Sequence, residues 1–114
     1  MPKIPTIFKP SGVSYNQDVI NKLNKGDIVK MELDNENKYD KNAIKILTID
    51  NEMCGFVPKK YKLDSQEEII LNILIKKKFD KLNKKYNLKV NEIYKWDGPT
   101  GIELIFEKKI NSNT

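Results

Sequence analysis

The chain has 114 residues, of which 39% are hydrophobic and 32% charged, and its formal net charge is +5; this composition indicates one soluble globular domain and excludes a disordered chain. With no His and a single Cys, the chain cannot build a Cys–His zinc site, a Ser–His or Cys–His catalytic pair or an internal disulfide. All 21 basic residues are Lys, so bidentate guanidinium contacts to phosphate or guanine are excluded as well.

The first half of the chain is predicted to contain four strands and one short helix. Apolar alternation and turn residues place the strands at residues 7–15, 27–34, 43–49 and 53–57 and the helix at residues 18–23. The first strand is expected to bend near Gly12, and Asp18 to cap the helix. In the second strand, Val29, Met31 and Leu33 face inward. The third strand has apolar residues on both faces, which is typical of a central strand.

A second helix is predicted in the middle of the chain. The run Ser65-Gln66-Glu67-Glu68 fits a capping box, the hydrogen-bonding pattern that begins many helices. The helix is expected to bury Ile70, Ile73 and Leu74 on one side and to end between residues 77 and 84.

A closing hairpin is predicted near the end of the chain, with strands at residues 88–96 and 101–108. The connection between them is dense in turn-forming residues. Phe79, Trp96 and Phe106 fall within periodic apolar runs, so we expect all three in the core.

These elements predict a mainly β, α+β fold of six short strands and two helices. In a chain of this size such a set favours a compact barrel or a strongly curled sheet. A single domain is expected over residues 1–109, with a frayed tail at residues 110–114.

Two observations bear on where the protein works. The first residues contain no apolar core of a signal peptide, and the longest apolar stretch, residues 69–75, is interrupted by Asn72. We therefore expect no membrane segment and a cytoplasmic location.

Three acidic residues, Asp34, Glu36 and Asp40, lie close in sequence and raise the question of metal or acid–base chemistry. A metal-assisted nuclease is one interpretation. The other is a solvated loop in which Asp40 and Asn42 cap the turn into the third strand. No glycine pattern matches a phosphate-binding loop. We expect no catalytic residue, no cofactor and no bound metal.

Lysines and aromatic residues suggest a different chemistry. Lysines are dense at residues 59–62 and 76–89, where they could neutralise phosphates or form a solvated surface. Tyr15, Tyr39 and Phe56 stand at strand ends or beside loops. An exposed ring there can stack on an unpaired base of any identity, whereas a half-buried ring with its hydroxyl in water would be structural.

Four segments together resemble the HIRAN domain: Gly12-Val13-Ser14-Tyr15, Gly26-Asp27, Asn37-Lys38-Tyr39-Asp40-Lys41-Asn42-Ala43-Ile44 and Gly55-Phe56-Val57-Pro58. The resemblance extends from about Phe8 to Phe106. This family occurs at the front of certain SWI/SNF-type fork-remodelling ATPases, and alone or fused to other enzymes in bacteria and phages. The length of the chain fits the small stand-alone type.

The resemblance implies a small six-stranded barrel, OB-like or SH3-like, that holds the 3′ end of single-stranded DNA. It implies that Tyr15 and Tyr39 sandwich the terminal base and that Asp40 accepts the 3′-hydroxyl. Further contacts to the strand are assigned to Lys41, Phe56, Lys59 and Lys60. In two places the chain departs from the end-binding members: Ser14 replaces a basic residue, and Phe56 stands where a polar ring can occur.

The sequence thus predicts a non-catalytic, monomeric module that recognises 3′-hydroxyl ends of single-stranded DNA. The partners would be single-stranded DNA or DNA 3′ ends, and a helicase or nuclease in DNA repair or replication-fork processing. The alternative is a protein-interaction module that keeps the barrel and docks such a helicase or nuclease. The residues leave open the choice between DNA and RNA, and the pathway.

Overall fold

The structure, a computed structural model, describes residues 4–110. Its strands are β1 (Ile7–Phe8), β2 (Ile28–Leu33), β3 (Ile44–Thr48), β4 (Met53–Phe56), β5 (Lys60–Lys62), β6 (Glu68–Ile70), β7 (Tyr86–Tyr94) and β8 (Gly101–Lys108). Its α-helices are α1 (Gln17–Ile20), α2 (Leu71–Lys77) and α3 (Phe79–Lys85), and a 3-10 helix spans Val13–Tyr15. The prediction of a mainly β fold is confirmed, with more strands and helices than the sequence indicated.

Six of the strands form one antiparallel sheet in the order β1-β8-β7-β2-β3-β4, and β5 pairs with β6 in a separate hairpin. The sheet is not closed into a barrel, since β1 and β4 are its edges. The barrel and its OB-like or SH3-like character therefore remain unconfirmed.

The core is built by the strands whose alternation is clearest in the sequence. Val29 and Met31 of β2 are buried, while Leu33 is half-buried at its edge. In β3, Ile44 and Ile46 are fully buried, and this strand lies between β2 and β4 as its apolar character predicted. Period-two patterning thus identified the core-facing residues of β2, and the apolar character of β3 correctly placed that strand inside the sheet rather than at an edge.

The segment predicted as one bent strand from residue 7 to residue 15 is divided into three parts. Strand β1 ends at Phe8, Ser11 forms an isolated bridge, and the 3-10 helix then begins after Gly12. Gly12 has φ 77°, a left-handed conformation that suits glycine and turns the chain out of the strand. The next helix, α1, is shorter than predicted, and Asn16 rather than Asp18 occupies its N-cap position.

The predicted capping box is wrong. Gln66 adopts φ 72°, and Glu68–Ile70 is strand β6, in which Ile69 faces Tyr61 and is buried. Pairing of the two adjacent isoleucines with β5, across a short turn, outweighs the helix signal of residues 65–68. The helix begins only at Leu71.

The predicted helix, α2, ends at Lys77, the first residue of the predicted range. A second helix that the sequence did not indicate, α3, follows after Lys78 and continues to Lys85. None of the helices within residues 4–110 is both long and apolar enough to cross a bilayer.

The closing hairpin is confirmed, and β7 begins two residues earlier than predicted, at Tyr86. Phe106 is buried and Phe79 packs partly buried against the core, as expected. The expectation for Trp96 is wrong, because 62% of its surface is exposed. Of the predicted frayed tail, Ile110 is 95% exposed, and residues 111–114 lie outside the described part of the chain.

Candidate functional site

The β2–β3 loop, residues 34–43, carries the central motif and is shaped by its own polar groups. The Asp34 amide donates to the Ala43 carbonyl at 2.9 Å and closes the base of the loop. At its tip, the Asn37 side-chain oxygen accepts from the amides of Tyr39 and Asp40, each at 2.9 Å. An asparagine side chain bonded to backbone two and three residues ahead fixes a turn. The positions of Tyr39 and Asp40 are therefore set by local hydrogen bonds.

The two tyrosines that the sequence singles out are both open to solvent. Tyr39 is 99% exposed at the tip of the loop, and Tyr15 is 90% exposed at the end of the 3-10 helix. The interpretation as half-buried structural rings is therefore wrong for both. Neither ring contributes to the core, so both are available to a ligand.

The Asp40 carboxylate is half-buried and held at both oxygens. Its Oδ1 accepts from the Asn42 amide at 2.9 Å, which agrees with the predicted turn-capping role. Its Oδ2 accepts from Asn72 Nδ2, on helix α2, at 2.8 Å. A carboxylate has further lone pairs, so both bonds leave it able to accept from a ligand hydroxyl.

Asn72 is a site residue that sequence reasoning missed. It is 2% exposed, and because a carboxylate only accepts, its NH₂ group must face Asp40. Its Oδ1 is then directed into the interior, where no partner is found within residues 4–110. An unpaired buried acceptor costs about 1–3 kcal/mol. The one signal in the sequence was a polar residue interrupting an apolar stretch.

Helix α2 holds the loop at a second point. Lys76, one helical turn after Asn72, donates from Nζ to the Lys41 carbonyl at 3.0 Å and lies 3.5 Å from Asn42 Oδ1. The Lys41 side chain itself is exposed. Lys76 was predicted to belong to a phosphate-binding or solvated lysine surface, and here it braces the loop instead.

The 3-10 helix that carries Tyr15 is attached to the edge of β4. Ser11 and Phe56 exchange two backbone hydrogen bonds of 2.9 Å each. A Cβ on Gly55 would lie 2.4 Å from the Ser11 carbonyl oxygen, so only glycine permits this approach. Asn16 Nδ2 adds bonds to the Gly12 and Cys54 carbonyls, at 3.2 and 3.3 Å. Tyr15 therefore stands on a fixed support.

The two tyrosine-bearing segments are anchored to the same end of the sheet. Ile44, the first residue of β3, pairs with Leu33 at the base of the β2–β3 loop, and its carbonyl accepts from the Val57 amide at 2.9 Å. The Val57 position directly follows Phe56, to which the Tyr15 segment is bridged. Sequence motifs far apart in the chain thus converge on Ile44.

Phe56 and the two lysines after β4 complete the predicted set. Phe56 is half-buried, and its ring lies beside Gly12. Lys59 and Lys60 are exposed, and the Lys59 carbonyl accepts from the Leu71 amide at 2.8 Å, at the start of α2. Lys60 Nζ lies 4.0 Å from Glu68 Oε1, a solvent-exposed pair of small energetic value. Their role toward a ligand stays a prediction.

The three clustered acidic residues do not form a ligand set. Asp34 Oδ2 accepts from Asn37 Nδ2 at 3.2 Å, Glu36 is exposed, and Asp40 is engaged as described above. Within residues 4–110, no three His, Cys, Asp or Glu side chains lie together in an arrangement that could hold a metal ion. The metal-assisted nuclease interpretation required such a cluster.

The surroundings of the single cysteine indicate a structural role. Cys54 is fully buried in β4, and burial, followed by the nearby Glu52 carboxylate, raises the pKa of its thiol to about 11. A thiol with so high a pKa is a poor nucleophile near neutral pH.

Comparison with known proteins gives one match. A family model described as HIRAN domain matches residues 7–91, which include Tyr15, the β2–β3 loop, β4 and α2. Searches of curated proteins and of solved structures returned no match to the chain.

Proposed function

The chain belongs to the HIRAN domain family, whose members are nucleic-acid-binding modules, and from this membership we propose that it is a non-catalytic module for the 3′-hydroxyl end of single-stranded DNA. The observation that carries the proposal is the pairing of a fully exposed ring, Tyr39, with the adjacent Asp40 carboxylate, which is fixed by two hydrogen bonds. The working partner would be a helicase or nuclease that acts on DNA ends.

Stacking supplies affinity without reading sequence. The terminal base lies between Tyr15 and Tyr39, and each base–aromatic contact contributes about 1–3 kcal/mol whatever the base. Because both rings rest on hydrogen-bonded segments, little loop ordering opposes binding, and the remaining ordering cost is that of fixing the two exposed side chains.

Asp40 supplies the preference for an unphosphorylated end. Its carboxylate accepts a hydrogen bond from the 3′-hydroxyl, whereas a 3′-phosphate would place negative charge beside it. Two like charges at about 4 Å repel by roughly 1–4 kcal/mol between bulk water and a protein surface. The half-buried position of Asp40 lies between these two environments.

Exposed lysines hold the backbone behind the terminal nucleotide. Lys41, Lys59 and Lys60 are the candidates, each as a point charge. Three phosphate contacts on a single strand predict a slope of about −2 in log affinity against log salt concentration.

The test is fluorescence anisotropy with a 5′-labelled single strand that ends in a 3′-hydroxyl or in a 3′-phosphate. We expect the hydroxyl end to bind at least about tenfold more tightly, which corresponds to about 1.4 kcal/mol. Asp40→Asn should remove most of this preference, because a neutral amide no longer repels phosphate. Lys59→Gln should lower the salt slope, and Lys22→Gln, which changes net charge equally on the loop after α1, serves as its control.

The outcomes separate the proposals. Equal affinity for the two ends would remove Asp40 from end recognition. Absence of binding to any strand at low ionic strength would favour the protein-interaction alternative, in which the same fold docks a helicase or nuclease.

A further inference from the structure

A second exposed aromatic surface lies at the tip of the β7–β8 hairpin. The rings of Tyr94 and Trp96 are stacked, with centroids 6.1 Å apart and an interplanar angle of 30°. Lys9 Nζ lies 4.7 Å from the centre of the Tyr94 ring. We call these three residues the hairpin stack. Trp96 is its outermost member, with 62% of its surface exposed.

The hairpin turn holds the Trp96 ring in place without covering it. A Cβ added to Gly98 would lie 3.0 Å from Trp96 Nε1, and one added to Gly101 would lie 3.4 Å from its Cη2. These two glycines therefore let the indole lie directly against the backbone. A large aromatic side chain that is stacked on a second ring and still mostly exposed offers a flat apolar face on which a base can stack.

The hairpin stack is joined to the segment that carries Tyr15. The Thr100 amide donates to Gln17 Oε1 at 2.7 Å, and Gln17 Nε2 donates to the Thr100 carbonyl at 3.0 Å. A further bond of 2.8 Å links Thr100 Oγ1 with Asn21 Oδ1. Gln17 is two residues beyond Tyr15, so the hairpin turn and the Tyr15 support are bonded to one another.

The charges around the hairpin stack are mixed but include available cations. Lys9 lies against the Tyr94 ring and Lys95 is exposed next to Trp96. Of the acidic neighbours, Glu92 is paired with Lys25 at 3.0 Å and its cross-strand partner Glu103 accepts from Asn91 Nδ2 at 3.0 Å, while Asp97 stays exposed. A bare aromatic ring flanked by lysine amines suits a nucleotide, which offers a flat base and an anionic phosphate together.

We propose that Trp96, backed by Tyr94, is a second base-stacking platform that binds a nucleotide at least two positions to the 5′ side of the terminal one, beyond the reach of a dinucleotide. The inference rests on the proposed function, because the terminal base is assigned to Tyr15 and Tyr39. It lies outside the residues matched by the family model and extends the site along the strand.

Binding at this platform can be followed by tryptophan fluorescence, because Trp96 is the only tryptophan in the sequence. Tryptophan emission and the anisotropy of a 5′-labelled strand are followed in parallel titrations with a 3′-hydroxyl dinucleotide and with a 3′-hydroxyl strand of about eight nucleotides. We expect the longer strand to quench Trp96 and the dinucleotide to leave its emission nearly unchanged. Trp96→Leu should weaken binding of the longer strand about tenfold and alter dinucleotide affinity less than about twofold.

Two controls make the result specific. Trp96→Phe keeps a stacking ring and should retain most of the affinity for the longer strand. Ile49→Ala removes a similarly exposed apolar side chain, 68% exposed in the turn between β3 and β4, and should change nothing.

The outcomes distinguish this inference from the function on which it rests. Binding by anisotropy without quenching, together with unchanged affinity in Trp96→Leu, would overturn the platform and leave the end-binding proposal standing. Absence of binding to either strand at low salt would overturn both.

Discussion

Replacing Asn72 by Leu tests whether helix α2 positions the carboxylate that is proposed to read the DNA end. The substitution removes the 2.8 Å hydrogen bond to Asp40 Oδ2 and also removes the buried Oδ1 atom that has no partner within residues 4–110. Leu has the same number and branching of side-chain heavy atoms as Asn, although its two methyl groups take up more room, and its neighbours on α2, Leu71 and Ile75, are both fully buried. The variant therefore separates the positioning of Asp40 from the packing of α2.

The two energetic effects on stability nearly cancel. A hydrogen bond to a charged group contributes about 1.5–3 kcal/mol, and an unpaired buried acceptor costs about 1–3 kcal/mol. Asp40 is only half-buried, so water can replace part of the lost bond. We expect the free energy of unfolding to change by less than about 1 kcal/mol, or Tm by less than about 6 °C.

The effect on binding should be larger. Without Asn72, Asp40 keeps only the bond from the Asn42 amide, and its carboxylate is free to turn. We expect the preference for a 3′-hydroxyl over a 3′-phosphate to fall about tenfold, or about 1.4 kcal/mol. The measurements are thermal unfolding by circular dichroism and strand binding by anisotropy.

Asn35→Leu is the matched control, since Asn35 is an exposed asparagine of the β2–β3 loop, which also carries Asp40. It should alter neither the stability nor the end preference. A loss of more than about 3 kcal/mol in Asn72→Leu would show that the buried oxygen is bonded in solution. An unchanged end preference in a folded variant would show that Asn72 does not position Asp40.

Three further predictions concern the stability of strands β3 and β4 and of the turn between them. Gly55→Ala places a methyl group 2.4 Å from the Ser11 carbonyl and should destabilise the fold by about 1–3 kcal/mol in denaturant titrations, with weaker strand binding; an unchanged midpoint would contradict the close approach. Thr48→Val removes the hydroxyl oxygen that accepts from two amides of the following turn, at 3.2 and 3.1 Å, and should cost about 1–3 kcal/mol by the same assay; a cost below about 0.5 kcal/mol would show that water replaces it. Burial raises the pKa of the Cys54 thiol from 9.0 to about 11, so the folded state binds this proton more tightly than the unfolded chain does. The resulting stabilisation is complete below pH 9 and is lost as the pH rises toward 11. Urea titrations across that range should show the free energy of unfolding falling by roughly 2 kcal/mol in the unchanged protein but not in Cys54→Ala. Parallel pH profiles of the two proteins would refute this prediction.

The central sheet could be predicted because its signal is local. Val29 and Met31 alternate with charged residues, and that period alone indicates which side faces the core. The capping box at residues 65–68 failed for the opposite reason. Whether Ile69 lies in a helix or a strand depends on β5, which the local pattern does not describe.

In the candidate site, too, residues marked by a local motif could be predicted, and residues that depend on contacts between distant segments could not. Tyr15, Tyr39 and Asp40 were identified from their motifs, and the exposure of both rings agrees with a binding role that remains to be tested. Asn72 could not be assigned, because its partner Asp40 lies 32 residues away in the chain. Trp96 was expected in the core because it falls within a periodic apolar run, whereas in the structure the strand ends at Tyr94 and the glycines of the turn leave room for its ring at the surface.

The two edges of the sheet have a consequence for the order of folding. Residues 7 and 8 pair with Ile105 and Leu104 of β8, and three residues later Ser11 bridges β4. This short segment can adopt its final position only after the last strand has been synthesised, because its partners in β8 lie nearly the whole length of the chain away. Such distant contacts slow folding. During synthesis, the Tyr15 segment is therefore expected to gain its final support last, and end binding would begin only with the complete sheet.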